Sequence, residues 1–462
     1  MTHIDLNNPV KVHFTGIGGI SMSGFAELLL SKGFRVTGSD RKTSDVAKAL
    51  EDKGAVIYYG EQRASNVAPD TDVLIFTAAV HPDNPELVFA KENGIPCIER
   101  GKLAGDVMNH FKRNFSVAGT HGKTTVTSML ACVLIEAGLD PTVSVGGIIP
   151  SIGGNMRIGN GSDMVIESCE YTDSFLNFHP THAIITNIEA EHLDYFKTFE
   201  RMQESFVKFA ELLPEDGLLV YNKEISDAEK IFANIKCPKV TYSVKDSTAD
   251  FYGTDISYDN MGRPSFDLYE NGRKLGRVSL KVIGEHNVAN ACGTIGMAVR
   301  SGIAFDTAVR AVESYTGTGR RFEKKGEIGG VTIIDDYAHH PTEIGATLEA
   351  AQRYPHKKLF VVFQPHTYSR TAQFLDRIAE ALSYADTIVL TDIYAARETN
   401  TYNVSSDDIL DILKTKYGKD AYHFSSFSDI ETFLLENCST GDLLITMGAG
   451  DVVKIGESLL GH

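Results

Sequence analysis

No stretch of about 18 apolar residues occurs in the 462-residue chain, so no membrane-spanning helix is expected. The opening MTHIDLNNPVKVHF has no basic segment followed by an apolar core and does not read as a secretory signal. Cysteine is sparse. Cys97, Cys132, Cys169, Cys237, Cys292 and Cys438 are scattered and form no C-x-x-C pair. That argues against a zinc ribbon or a disulfide scaffold and for a reducing, cytoplasmic setting. Positive charge is also short: the formal net charge is −17. A polynucleotide partner is therefore not expected. An anionic substrate would have to be held by local devices, such as helix N-termini, a few Lys or Arg, and Mg²⁺.

The chain is too long for one ordinary core, so two to four domains are expected. The first segment alternates apolar strands with helical stretches: VHFTGIGG, a helix from Ser21 to Lys32 ended by Gly33, FRVTGSD, AVIYYG and DVLIFTAAV. This rhythm predicts a mostly parallel sheet covered by helices. It restarts at Asn114 with NFSVAG and a helix from Lys123 to Ala137, and continues through VIES, AIITNIEAEH and LLVYN. A β-leaning stretch runs from about Val240 to Val282. A third restart near Gly326 brings VTIIDDYAHHP, KLFVVFQPH, DTIVLTDIY and DLLITMGAGD. The expectation is three α/β domains in series, spanning residues 1–112, 113–325 and 326–462.

Gly119, Thr120, His121, Gly122, Lys123, Thr124 and Thr125 lie between a strand and a helix, the setting of a phosphate-binding loop. In such a loop backbone N–H groups face phosphate oxygens, Lys123 reaches the outer phosphates and the Thr124 hydroxyl ligates Mg²⁺. The pattern G-x-x-x-x-G-K-[ST] is incomplete, because Val117 stands at its first glycine. A second glycine loop, Gly16, Gly18 and Gly19, follows the first strand, and Asp40 ends the next. Ser21 replaces the last glycine of the dinucleotide fingerprint, yet the physics of a diphosphate at a helix N-terminus survives.

Other polar residues fall at predicted strand ends. Glu167 and Glu170 follow one strand, and His192 lies in the loop after another. Carboxylates at such an edge suit Mg²⁺ on ATP phosphates. His286, Asn287 and Asn290 open an apolar helix, where they either recognise a base or cap the helix. Arg320 and Arg321 read equally as an anion clamp or a solvated linker. Asp335, Asp336, Tyr337, His339 and His340 end one strand, and Gln364-Pro365-His366-Thr367-Tyr368-Ser369-Arg370 follows another.

GTHGKTT, TNIEAEHLDYF, GEHNVANA, GRRFE, DDYAHHP and FQPHTYSR occur here in the order shown by the Mur ligases, and the resemblance covers nearly the whole chain. TGIGGISMSG and FQPHTYSR look most like the alanine-adding branch. The resemblance implies a Rossmann-like N-terminal domain for a UDP-substrate, a central P-loop ATPase domain and a Rossmann-like C-terminal domain. It implies that Lys123 and Thr124 hold ATP phosphates and Mg²⁺, with Glu170 and His192 as further metal partners. His286, Asn287 and Asn290 would place the adenine nucleotide, and Arg321 and Asp336 would contact ATP. Tyr337, His366 and Arg370 would position L-alanine and the muramyl carboxylate. Two departures stand out. Thr367 occupies a position where the branch often carries Arg, and Phe206 falls where several sister ligases use a carbamylated lysine, so no such modification is expected.

The chemistry implied is ATP-dependent ligation of L-alanine to the lactyl carboxylate of UDP-N-acetylmuramate through an acyl phosphate, releasing ADP and phosphate. It serves peptidoglycan precursor synthesis, by a monomer or weak homodimer. His366 and water are both candidate acceptors of the alanine proton. Competing readings are a nucleotide-dependent dehydrogenase, which leaves the phosphate loop idle, and a non-catalytic nucleotide-binding regulator, which leaves the clustered acids and histidines idle. A third is the recycling ligase that adds a tripeptide to the same muramyl nucleotide.

Overall fold

Three sheets follow one another along the chain, each flanked by helices, in a three-domain α/β fold. The computed structural model describes residues 3–77, 80–396 and 398–461. By packing, the chain falls into two compact units. One comprises Met1–Tyr252, Tyr269–Arg273 and Asn290–Val312, the other Gly253–Leu268, Lys274–Ala289 and Glu313–His462.

The first sheet has five parallel strands in the order Val56–Tyr59, Arg35–Asp40, Lys11–Thr15, Val73–Phe76, Cys97–Glu99. Val12 and Phe14 are fully buried on the central strand, as expected of a strand covered on both sides. The helix after it runs Ile20–Ser31, and Gly33 closes it with a φ of 85°. The expected ends were one residue later, and the cap geometry sets the difference.

The second sheet has Arg113–Ala118 near its middle, between His182–Ile185 and Asp163–Glu167, both parallel to it. Leu218–Asn222 and Lys239–Ser243 extend one side. Thr142–Ile149 and the antiparallel Gly154–Arg157 extend the other. Phe251–Tyr258, Pro264–Glu270 and Arg273–Ser279 supply the β-rich stretch expected between 240 and 282. Three adjacent parallel strands therefore end at one edge, followed respectively by the phosphate loop, the Glu167–Glu170 turn and the segment leading to His192. Phe206 is fully buried, with its ring edge-on to Phe175 at 5.4 Å. It is a core aromatic.

The third sheet has six strands in the order Glu323–Ile328, Val331–Asp336, Leu443–Met447, Leu359–Phe363, Thr387–Leu390, Asp420–His423. The first pair is antiparallel and the rest parallel. Alternate residues feed two cores. Val361, Phe363 and Ile445 join one, while Phe360, Val362 and Leu444 join the other, the period-2 signature of a strand buried on both faces. Sequence reading found four of these six strands. Glu323–Ile328 (EKKGEI) is a polar edge strand, and Asp420–His423 has four residues, so neither carries an apolar run. The six cysteines are all free thiols. Among the described residues no helix is long and apolar enough to cross a membrane.

Candidate active site

The phosphate loop is tied down by the segment that follows the neighbouring strand. The Asn187 side chain accepts from His121 N–H at 2.8 Å and donates to His121 O at 2.9 Å. Thr186 Oγ1 donates to His121 O at 2.6 Å, and Thr120 N–H donates to Asn187 O at 3.2 Å. Gly119 sits at φ 140° against Thr186 and Asn187, where a Cβ would collide with the Thr186 hydroxyl. Gly122 has φ 81° and caps the helix Lys123–Glu136, with Thr124 and Thr125 in its first turn. These positions need glycine for both backbone conformation and space.

Lys123 folds back over the loop. Its Nζ donates to Gly119 O at 2.5 Å and Thr120 O at 3.0 Å, and meets the Glu170 carboxylate at 2.9 Å. Glu170 is fully buried. Burial works against the Lys123 ammonium, but the negative groups around it, Glu170 foremost and Glu167 among the rest, together outweigh it and hold Lys123 above its usual pKa. The Thr124 hydroxyl donates to Glu167 at 3.1 Å, whose other oxygen accepts from Gly146 N–H at 2.7 Å. His192, in a left-handed conformation at φ 53°, brings Nε2 to 3.9 Å from Glu170 and rests its ring 4.6 Å from Tyr171. A hydroxyl, two carboxylates and an imidazole thus converge beside a lysine at a helix N-terminus. This is the donor set a phosphate-bound hard cation uses. Asn290 faces the same loop, its Oδ1 3.0 Å from where a Gly122 Cβ would stand. Asn287, one helical turn earlier, spends its amide on Ile283 O at 2.7 Å. His286 is exposed at the start of the same helix.

In the first domain the glycine loop is closed by its own chain. Gly16 N–H and Ile17 N–H donate to Ser39 O at 2.9 and 3.0 Å, Gly19 N–H to Gly16 O at 3.2 Å, and Gly18 N–H to the Asp40 carboxylate at 2.9 Å. Asp40 thus caps the loop through Gly18 N–H.

In the third domain the loops after neighbouring strands converge at one sheet edge. Asp336 is buried and its carboxylate accepts from Phe322 N–H and Ala338 N–H, both at 2.8 Å. Burial nevertheless pushes its pKa up to about 6, against the pull of Arg321 and those N–H groups. Arg321 lies over the Tyr337 ring at 5.2 Å and 3.8 Å from Glu343. Tyr337, His339 and His366 continue as a chain of edge-to-face rings. Arg370 Nη1 lies 3.0 Å from His366 Nδ1.

Lys123, Thr124, Glu170 and His192 are therefore brought together, with Asn290 beside them. Tyr337, His366 and Arg370 form a second group, with Arg321 and Asp336 at its flank. Sequence reasoning passed over several residues that organise these groups. Asn187 lay inside a quoted motif without a role. Arg320, read as an anion clamp or a solvated linker, holds Asp335 at 2.8 Å and the carbonyls of Gly448 and Gly450 at 2.7 and 3.1 Å, within the compact unit that carries the third sheet. Tyr394 and Glu398 follow the strand Thr387–Leu390, and the only signal was that position.

Comparison with known proteins finds matches along most of the chain. Residues 11–112 match the Mur ligase family catalytic domain, 117–298 the Mur ligase middle domain, and 320–450 the Mur ligase glutamate ligase domain. The chain is 51% identical over 460 residues to the UDP-N-acetylmuramate–L-alanine ligase of Agathobacter rectalis and 48% identical to that of Lachnospira eligens, each alignment covering 100% of both chains. Among solved structures it is similar to the UDP-N-acetylmuramate-alanine ligase of Thermotoga maritima, with a TM-score of 0.84, 32% identity and 98% of each chain covered. A phosphate loop beside paired carboxylates on the middle sheet, framed by three matched domains in family order and by relatives half identical from end to end, leads to one conclusion: the chain belongs to the Mur ligase family.

Proposed function

We propose that this protein joins L-alanine to the lactyl carboxylate of UDP-N-acetylmuramate, splitting ATP to ADP and phosphate. The observation that carries the reading is the convergence of Lys123, Thr124, Glu170 and His192 at the ends of three adjacent strands, in a chain whose full-length relatives bear that activity's name. Lys123 supplies the cation for the outer phosphates, exchanging its loop carbonyls for phosphate oxygens. Mg²⁺ fits this donor set; Thr124, Glu170 and His192 would hold it, and its chemistry there is to neutralise charge on the phosphate oxygens. The remaining residues of the phosphate loop, Gly119 to Thr125, are assigned to the nucleotide, as are His286, Asn287, Asn290, Arg321 and Asp336. Gly16, Gly18, Gly19 and Asp40 take the UDP-sugar, and Tyr337, His366 and Arg370 take L-alanine and the muramyl carboxylate. We assign residues 1–112, 113–325 and 326–462 to the three functions.

The lactyl carboxylate attacks the γ-phosphorus and ADP leaves. The amine of L-alanine then attacks the acyl carbon and phosphate leaves. The protein's part is positioning and charge neutralisation, with no covalent intermediate on the enzyme. The nucleotide substrates set the work in the cytoplasm, early in peptidoglycan synthesis, by a monomer or weak homodimer. The deciding experiment measures phosphate release from ATP with UDP-N-acetylmuramate against each amino acid and the recycling tripeptide. Release should require the muramyl nucleotide, and turnover should require L-alanine. Equal release with ATP alone, or turnover with the tripeptide in place of L-alanine, would refute the assignment.

A further inference from the structure

The ring of His366 is constrained on three sides. Arg370 Nη1 approaches His366 Nδ1 at 3.0 Å and the His366 carbonyl at 3.2 Å. A guanidinium has five donors and no acceptor, so Nδ1 must present its lone pair and the ring proton must sit on Nε2. Protonating Nδ1 as well would set N–H against N–H and put a second positive charge beside the first. Tyr394 lies alongside in an offset stack, with ring centroids 5.6 Å and planes 16° apart. His339 meets the ring edge-to-face at 5.7 Å.

Tyr394 is itself fixed. Its N–H donates to Pro365 O at 2.8 Å, and its carbonyl accepts from Thr367 N–H at 2.9 Å. Its ring lies so near Gly450 that a Cβ there would come within 2.9 Å of it. The helix that carries Arg370 is held at its first turn by Glu398, which accepts from Ser369 N–H at 2.8 Å and Ser369 Oγ at 2.5 Å. Among the described residues, the charged and titratable groups seen about the ring are Arg370, His339, Tyr394 and, one residue from Arg370, Glu398.

We propose that His366 works as a neutral hydrogen-bond donor through Nε2, with Arg370 and Tyr394 fixing that form, and is not the base for the incoming amine. This rests on the ligase reading above. A base needs an unprotonated nitrogen facing the amine, and the lone pair of this ring is spent on Arg370. The Nε2–H suits an oxygen of a substrate carboxylate or of the acyl group. The reaction balances without a side-chain base. Alanine loses its ammonium proton to water before attack. The neutral amine forms the C–N bond, the C–O bond to phosphate breaks, and the amine's next proton goes to the departing phosphate as hydrogen phosphate. Tyr394 acts through His366 and is a positioning residue.

The test uses the full-length enzyme, measuring kcat/KM for L-alanine across pH in the native protein, His366→Gln and His366→Ala. Glutamine keeps an N–H near the Nε2 position and has no ring base. It should hold activity to within about tenfold of native with the acid limb unchanged, while alanine loses roughly 10²–10³. If both variants fall together by about 10²–10⁴, as removal of a general base does, and the acid limb vanishes with them, the proposal is overturned. Histidine ¹⁵N spectra of the native enzyme give an independent answer that does not depend on variant folding. Nδ1 should be unprotonated and Nε2 protonated throughout the active pH range, and a His366 that becomes doubly protonated along the acid limb refutes the donor role. Tyr394→Ala should mix the two tautomers and raise KM for L-alanine but not for ATP, with Tyr394→Phe restoring both. A native enzyme that joins no L-alanine would instead sink the ligase reading and leave the tautomer result standing.

Discussion

The phosphate loop of the central domain and the ring cluster of the third domain are held by different means. The loop is held by charge and main chain: a lysine on two carbonyls and a buried glutamate, and an asparagine bonded to both sides of one peptide. The ring cluster is held by planes: guanidinium over phenol, ring edge on ring face, imidazole under phenol. The proposed roles of the two groups would account for the difference. A lysine that will meet phosphate can rest on groups it later exchanges, because one ionic contact replaces another. A ring that must present one particular N–H cannot exchange anything, and stacking fixes its orientation without consuming its polar edge.

The contrast is broken most severely at Lys123. Lys123→Ala should lower turnover by roughly 10²–10³. It should also destabilise the protein, because it leaves Glu170 buried without its cation; breaking such pairs costs about 3–5 kcal/mol. The double variant Lys123→Ala/Glu170→Gln should therefore melt above the single one while staying equally inactive. A double variant no more stable than the single would show that the pair carries little energy. On the other side of the comparison, Arg370→Ala should lower amide formation by about 10² and leave ATP affinity unchanged. Calorimetry showing weakened ATP binding would place Arg370 on the wrong group.

Smaller effects sharpen the picture. Gly18→Ala brings a Cβ within 2.7 Å of the Asp40 carboxylate, so the variant must push Asp40 away from Gly18 N–H. KM for the UDP-sugar should rise by about tenfold, or ~1.4 kcal/mol, with kcat for saturated enzyme nearly native. An unchanged KM would mean the loop does not touch the diphosphate. The smallest effect is expected at Asp336. Its folded pKa is raised from 3.8 to about 6, so the folded state holds a proton that the unfolded state releases. That contribution is complete below about pH 4 and is lost as pH rises through about 6. The melting-temperature advantage of the native protein over Asp336→Asn should accordingly shrink from pH 4 to pH 7, by roughly 2–4 °C for each 1 kcal/mol involved. An advantage that grows with pH would contradict the burial argument.

Much of this was legible in the residues. The strand–loop–helix setting of Lys123, the carboxylates past Met164–Ile166, the polar loop after Leu359–Phe363 and the acids and histidines from Asp335 to His340 at a strand end all announced themselves by local pattern. What stayed hidden was sheet order. Nothing local says that Arg113–Ala118 lies between Asp163–Glu167 and His182–Ile185, yet that adjacency brings three separate motifs to one sheet edge. Asn187 and Tyr394 escaped for the same reason, and the choice between clamp and linker at Arg320 stayed open, since their partners are distant in sequence. Arg320 meets Gly450 across 130 positions. The sequence suggests Asp40 as a ligand contact; what the structure gives it is the capping of its own loop. The strand Glu323–Ile328 was missed because an edge strand open to solvent needs no apolar alternation.

The placing of Arg113–Ala118 between two later strands also governs how the molecule comes into being. A chain emerging in sequence order makes the glycine turn and its helix first, yet the loop has no fixed shape until the segments around residues 165 and 185 have added on either side. Each of those pairings closes a long stretch of chain, and closures of that kind are slow. Nucleotide affinity should therefore be among the last properties acquired during refolding, well after helix content returns. A fragment ending before His182 would carry every residue of the phosphate loop and still bind no nucleotide.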